Sequence, residues 1–228
     1  MMQTTILRSV VAATLVAIFA LPAGGARAAT EQQETVEKAR FTVERMLANE
    51  KLQDFRRYMA RAKAVMVFPN LLKAGFIVGG EGGTGVLLVR GEDGSWSPPA
   101  FYRMWSGSFG LQAGVQNSEV IIMIMSQKGI DAVLDRQTKL GADASIAAGP
   151  QGAGAEAATG VGFSADMYSY SQTSGVYAGL SLEGSFLEAR SEWNKLFYAR
   201  ELHSRDIVLG RKVTNESAVP LMRALERR

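Results

Sequence analysis

With no cysteine and a single histidine among its 228 residues, the chain can form no disulfide, offers no thiol nucleophile and is poorly supplied for a zinc site. Its formal charge of +3 includes Arg8 and Arg27. Without those two cations the remainder carries +1, too little for a nucleic-acid binder that depends on many phosphate contacts.

Arg8 precedes an apolar run from Val10 to Leu21, followed by Pro22 and small residues ending in Ala26-Arg27-Ala28. This reads as a secretory signal, residues 1–28, cleaved near Ala28. The run is shorter than the roughly 20 apolar residues that span a bilayer; an uncleaved signal anchor is the alternative reading. Residues 29–228 then form one domain in the periplasm or outside the cell, and about 200 residues suffice for one core.

From Thr30 to Ala62, Val36, Val43, Met46 and Leu47, then Leu52, Phe55 and Met59, fall at helical spacing, with a break near Asn49 and a capping box from Thr30 and Gln33. The second helix carries Lys51, Arg56, Arg57, Arg61 and Lys63 beside its apolar face. Such a helix can lie on an anionic lipid surface, each cation adding about 1 kcal/mol near the headgroups. The equally physical alternative packs that apolar face on a sheet and leaves the cations in water.

Most of the 24 glycines lie between Gly75 and Gly184, among β-branched and aromatic residues, which writes a bent sheet. Strands are expected at Ala64–Phe68, ended by Pro69, then at Gly75–Gly79, Gly85–Arg90, Gly107–Gln116 and Val120–Met125. Asp93-Gly94 marks a hairpin, and the uninterrupted apolar run Val120–Met125 marks a strand covered on both faces. Trp96, Phe101, Tyr102 and Trp105 around Pro98 suit either an exposed aromatic loop at a lipid interface or ordinary packing. A short helix around Ile130 and Val133 follows. Strands resume at Ala142–Ala148, Ala165–Gln172 and Val176–Leu182, with a small-residue loop at 150–162 between the first two. Helices around Trp193 and from Val219 to Leu225 close the chain. The fold class is α+β: a curved, mostly antiparallel sheet, sandwiched or barrel-like, with an N-terminal helical pair and C-terminal helices.

Chemistry-bearing motifs are few. Gly80, Gly82 and Gly85 spell a dinucleotide fingerprint, but strand sequence follows where a helix must hold the pyrophosphate. The pattern reads as a glycine-rich hairpin. His203 lies in a charged segment and reads as a surface residue. Met66, Met104, Met123 and Met125 read as core rather than as Cu(I) ligands. Asp143 and Asp166, on strand faces, are the one enzyme-like feature; a structural hydrogen-bond role competes with a hydrolytic one. No cofactor or metal is expected.

Lys73-Ala74-Gly75-Phe76, Gly79-Gly80 with Gly85-Val86-Leu87, Trp96-Ser97-Pro98-Pro99, Ser108 to Gly114, Leu140 to Ser145, Ala147 to Pro150, and Tyr170-Ser171 with Gly175 to Gly179 stand in an order that resembles the SYLF domain family. The likeness runs from about 63 to about 210. It implies a lipid-binding domain, phosphoinositide-binding and actin-linked in eukaryotic members and exported in many bacterial ones. Eukaryotic members often place a basic residue in the glycine-rich loop, where this chain has Glu81. That departure tells against an inositol phosphate held by this loop; an exported protein would not meet actin in its own compartment, so the carry-over extends to lipid and stops short of actin. Lys73 and Arg90 match basic positions of the motif, and Arg103 joins them from the aromatic segment.

The expected function is non-catalytic binding of anionic phospholipid in the bacterial cell envelope. Arg56, Arg57, Arg61, Lys63, Lys73, Arg90 and Arg103 would meet phosphate, and Trp96, Phe101 and Trp105 the acyl boundary. The alternative is a structural or protein-interaction module of the envelope, touching envelope proteins; a hydrolase using Asp143 and Asp166 ranks behind both.

Overall fold

The computed structural model describes residues 29–50, 52–75, 78–109, 114–135, 137–149, 165–173, 176–179 and 182–226. The expected signal segment and the stretch 150–162 lie outside them. Helix α1, Glu31–Ala48, opens on the expected capping box: Gln33 N donates to Thr30 Oγ1 at 3.3 Å, and Thr30 N donates to Gln33 Oε1 at 2.9 Å. Val36, Ala39, Val43 and Met46 make one buried stripe. The chain breaks at Asn49, and α2, Gln53–Arg61, buries Phe55, Tyr58 and Met59.

Nine strands form one sheet: β1 Ala64–Gly75, β2 Val78–Val89, β3 Ala100–Phe109, β4 Gly114–Ile124, β5 Gln137–Lys139, β6 Ile146–Ala148, β7 Met167–Thr173, β8 Val176–Gly179 and β9 Phe186–Ala189. Their order is β5-β9-β3-β2-β1-β4-β7-β6, with β8 also on β7. All pairs are antiparallel except β6 with β7. The path ends at β5 and β6 without a closing pair among the described residues, so the sheet curls as an open half-barrel.

Each face carries its own core. Val65, Val67, Val86, Leu88, Phe101, Ile121 and Met123 pack with α1, α2, α4 (Ser191–Tyr198) and α6 (Val219–Glu226). Met66, Phe68, Leu71, Leu87, Tyr102, Met104 and Ile122 pack with α3 (Gln127–Leu134) and α5 (Ser204–Val208). Val120 to Ile124 are wholly buried between the two, as an uninterrupted apolar run requires.

Pro69 does not end β1. Val67 pairs with Val86, and Asn70 with Thr84. Two residues of β1 thus face the single Gly85: a bulge, where a missing N–H costs no ladder bond. Gly85 is needed there, since a Cβ would lie 2.3 Å from the Val67 carbonyl oxygen. Gly79 to Gly85 belong to the interior of β2 and make no hairpin turn. The Asp93-Gly94 turn is real, with Gly94 at φ 81°. Around 142–148 only Ile146–Ala148 is strand, after a turn at 141–143. Strands β5 and β9 had no sequence expectation; both are only three or four residues long and join the sheet at the outer edge of β3.

β1 to β4 run past the helices. On the α1 side, Leu72, Gly82, Trp105 and Phe186 stand in one cross-strand row, with Asn117 opposite Leu72. Ala74, Gly80, Gly107 and Val115 form the next row out.

Candidate functional site

A cleft of about 410 Å³ opens between the end of α2, the β2–β3 turn and the end of α6. Two arginines wall it. Arg56 Nη1 donates to the Asn49 carbonyl at 2.8 Å and the Leu47 carbonyl at 3.3 Å, at the end of α1, where carbonyls lack partners within the helix. Arg90 Nη1 and Nη2 donate to the carbonyls of Ala60 at 2.6 Å and Met59 at 3.0 Å. Both cations thus sit at helix C-termini, where the dipole favours positive charge. The Arg90 guanidinium lies 4.5 Å from the Trp96 ring centroid, a cation–π distance.

The turn is fixed from behind. Asp93 Oδ1 accepts from Ser95 N at 3.0 Å and Ser95 Oγ at 2.7 Å. These bonds, hydroxyl first, hold its carboxyl below the ordinary range, and the Arg211 charge adds to the effect. Arg211 Nη1 donates to Ser95 Oγ at 2.6 Å and Nη2 to the Ser95 carbonyl at 2.9 Å. Met59, Leu47 and Leu225 give the cleft an apolar side, and Asp93 and Glu226 an acidic rim. Planar guanidinium donors beside apolar wall suit a phosphate or carboxylate joined to an apolar body.

Of the ten residues expected to meet lipid, the fold gathers Arg56, Arg90 and Trp96 at this cleft. The others disperse. Arg57 pairs with Asp54 at 2.6 Å, and Arg61 and Lys63 are exposed where α2 meets β1. Arg103 pairs with Glu188 at 2.6 Å. Lys73 stands opposite Glu81 on the other side of the projecting sheet; burial raises the Glu81 pKa and the Lys73 charge offsets part of that. Phe101 lies in the core, edge-on to Phe197 at 5.1 Å. Trp105 is 40% exposed and stacks on Phe186 at 4.4 Å.

Two expectations are corrected. The second helix has no apolar face to give a membrane: Leu52, Phe55 and Met59 are at most 4% exposed, and covering each contributes roughly 1.5–3 kcal/mol to the fold. Nor do the aromatics around Pro98 form an exposed loop. β3 begins at Ala100, so alternation sends Phe101 into one core and Tyr102 into the other; of the four rings only Trp105 is exposed.

Asp143 and Asp166 do not act on one another. Asp143 is exposed and caps a turn by accepting from Lys139 N at 2.6 Å. Asp166 accepts from Ser126 Oγ at 2.5 Å and from Ser145 Oγ at 2.8 Å. Among the described residues no three His, Asp or Glu side chains gather to hold a metal, and no helix is long and apolar enough to cross a membrane. Sequence reasoning missed Ser95, Asp93 and Arg211 as parts of the site. Asp93-Gly94 did signal the turn, but nothing local connects it to Arg211.

A family model described as Ysc84, Las17-binding protein actin regulator, matches residues 105–228. Protein YSC84 of Saccharomyces cerevisiae is 36% identical over 174 residues, 75% of this chain and 37% of that protein. LAS seventeen-binding protein 3 of the same species is 34% identical over 173 residues, 75% of this chain and 38% of that protein. SH3 domain-containing YSC84-like protein 1 of Rattus norvegicus is 33% identical over 153 residues, 67% of this chain and 45% of that protein. The chain therefore spans less than half the length of these relatives.

Proposed function

Because the chain belongs to the Ysc84/SYLF family, we propose that it is a non-catalytic module binding anionic phospholipid in the bacterial cell envelope, exported by its N-terminal segment. The observation that supports this most is the meeting of Arg56, Arg90 and Trp96 at one cleft, from elements far apart in sequence. A headgroup phosphate would lie against the Arg56 and Arg90 guanidinium groups, and Met59 and Leu225 would face the glycerol and first methylenes.

Co-sedimentation of the protein with vesicles tests the reading. Binding is expected to vesicles of phosphatidylcholine and phosphatidylglycerol in equal parts, weaker to phosphatidylcholine alone, and reduced by salt, which screens exposed charge. Equal binding to neutral vesicles at every salt level contradicts it.

The relatives' names favour a second reading. Proteins described as Las17-binding suggest contact with a protein partner. Cross-linking in whole cells separates the two, since one dominant protein adduct favours protein contact.

A further inference from the structure

The projecting end of β1 to β4 has two unlike faces. Toward the α1 side point Leu72, Ala74, Trp105 and Val115, with Gly80, Gly82 and Gly107 between them and Asn117 beside Leu72, bonded inward to Asn70 Oδ1 at 3.2 Å. Toward the other side point Lys73, Glu81, Ser106 and Gln116. The apolar face is open: Leu72 is 51% exposed and Val115 76%. With Trp105 they are half of the large exposed apolar side chains among the described residues, yet they share one face of one end. Scattered surface apolar residues need no explanation, but a gathered set marks a contact surface.

Charge fixes what that surface meets. One row inward, Asn70, Thr84, Arg103 and Glu188 replace the apolar residues. Arg190 Nη1 donates to Thr84 Oγ1 at 2.9 Å, and Lys139 Nζ lies 5.6 Å from the Phe186 ring centroid at the β5 edge. The order along the strands is therefore apolar end, aromatic ring, and a collar of net positive charge, in which Arg190 and Lys139 stand beside the matched pair Arg103 and Glu188. From the Val115 row to the Arg103 row is four residues, roughly 13 Å at about 3.3 Å each. That matches an amphipathic element whose apolar side sinks about 5–10 Å into the headgroup boundary.

We infer that this two-faced sheet end is the part of the molecule that enters the bilayer surface, with Val115 and Ala74 deepest among the described residues, Leu72 and Trp105 at the interface, and Arg103, Arg190 and Lys139 at the phosphates. The inference rests on the phospholipid reading and adds to the arginine cleft the surface by which the domain docks.

The chain has no cysteine, so single cysteines can carry an environment-sensitive fluorophore. Labels at Leu72→Cys and Val115→Cys are expected to shift to the blue on vesicles of phosphatidylcholine and phosphatidylglycerol in equal parts, and to be quenched by lipids bearing a shallow nitroxide. A label at Gln116→Cys, on the opposite face, is expected to change far less. A Cβ at Gly107 meets nothing within 4 Å, so Gly107→Asp puts a charge on the apolar face without a steric clash. It is expected to weaken vesicle binding on the order of tenfold, while Gly107→Leu keeps or tightens it. Vesicle-bound protein with an unchanged label at 115 overturns this inference and leaves the lipid reading standing. Failure to sediment with the vesicles overturns both. A label shift that depends on protein concentration without vesicles assigns the face to a second copy and overturns the inference.

Discussion

Trp96 Nε1 donates a hydrogen bond to the carbonyl oxygen of Leu225 at 3.1 Å, inside the core. It ties the β2–β3 turn to the last turn of α6, so two walls of the cleft are held by one side chain. Trp96→Phe keeps most of the apolar volume and orphans a buried carbonyl, which costs roughly 1–3 kcal/mol. Urea unfolding should show a lower midpoint at unchanged slope, and amide exchange should speed up in α6 before it does in β4.

Arg57 lies on α2 and Arg90 reaches the end of the same helix from beyond β2, and the two should behave differently. Arg90→Ala removes two bonds to helix carbonyls and the stacking on Trp96, with a loss of about 1–3 kcal/mol of stability and weaker vesicle binding. Arg90→Lys should recover little, because one ammonium cannot span two carbonyls as a planar fork does. Arg57→Ala should leave binding nearly unchanged, since its charge is already matched by Asp54 in a half-buried pair on the same helix. Sedimentation at a temperature where all variants remain folded tests the contrast.

The sequence carried the pieces governed by local rules. Thr30 and Gln33 announced a helix start, Asp93-Gly94 a turn, and Val120 to Ile124 a strand buried on both faces. It misled wherever a partner remote in sequence decides. The Leu52–Phe55–Met59 pattern is the same whether it meets lipid or sheet, and only the packed structure shows Phe55 against Tyr170. Pro69 reads as a terminator unless the bulge opposite Gly85 is known. β9 is too short for its alternation to be distinguished. Arg56 stands out by the basic helix and Arg90 by its match to the family motif, but their meeting at one cleft follows from sheet order, which no spacing reveals.

Asp166 should govern part of the acid limb. The Ser126 hydroxyl first, then the Ser145 hydroxyl and amide, with the Lys128 charge, draw its pKa from the ordinary 3.8 down to about 2. A carboxyl depressed in the folded state stabilises fully above its unfolded value. That stability, roughly 1–2 kcal/mol, is lost as pH falls from about 4 through 2. Asp166→Asn should flatten stability against pH over that window. Combined with Asp143→Asn it should leave vesicle binding as it was; loss of a hydrolytic activity in the pair would revive the enzymatic reading.

Two glycines one strand apart should respond oppositely to the same change. Gly85→Ala drives a Cβ to 2.3 Å from the Val67 carbonyl oxygen and 2.6 Å from the Phe68 ring, and should cost at least about 2 kcal/mol. Gly107→Ala meets nothing and should be near neutral. Thermal unfolding of the two variants side by side is the measurement.

The extra residue that β1 carries at Pro69 acts as a parity switch. Before it, the odd positions Val65 and Val67 look toward α1; beyond it, the even positions Leu72 and Ala74 do. Paired straight through without that bulge, the same residues would put Leu71 opposite Gly82 and Lys73 opposite Gly80, so that the lysine would look toward α1. A single residue left out of the ladder thus decides which side of the blade is oily and which is wet, since straightening the strand with its composition untouched would turn the outer half over.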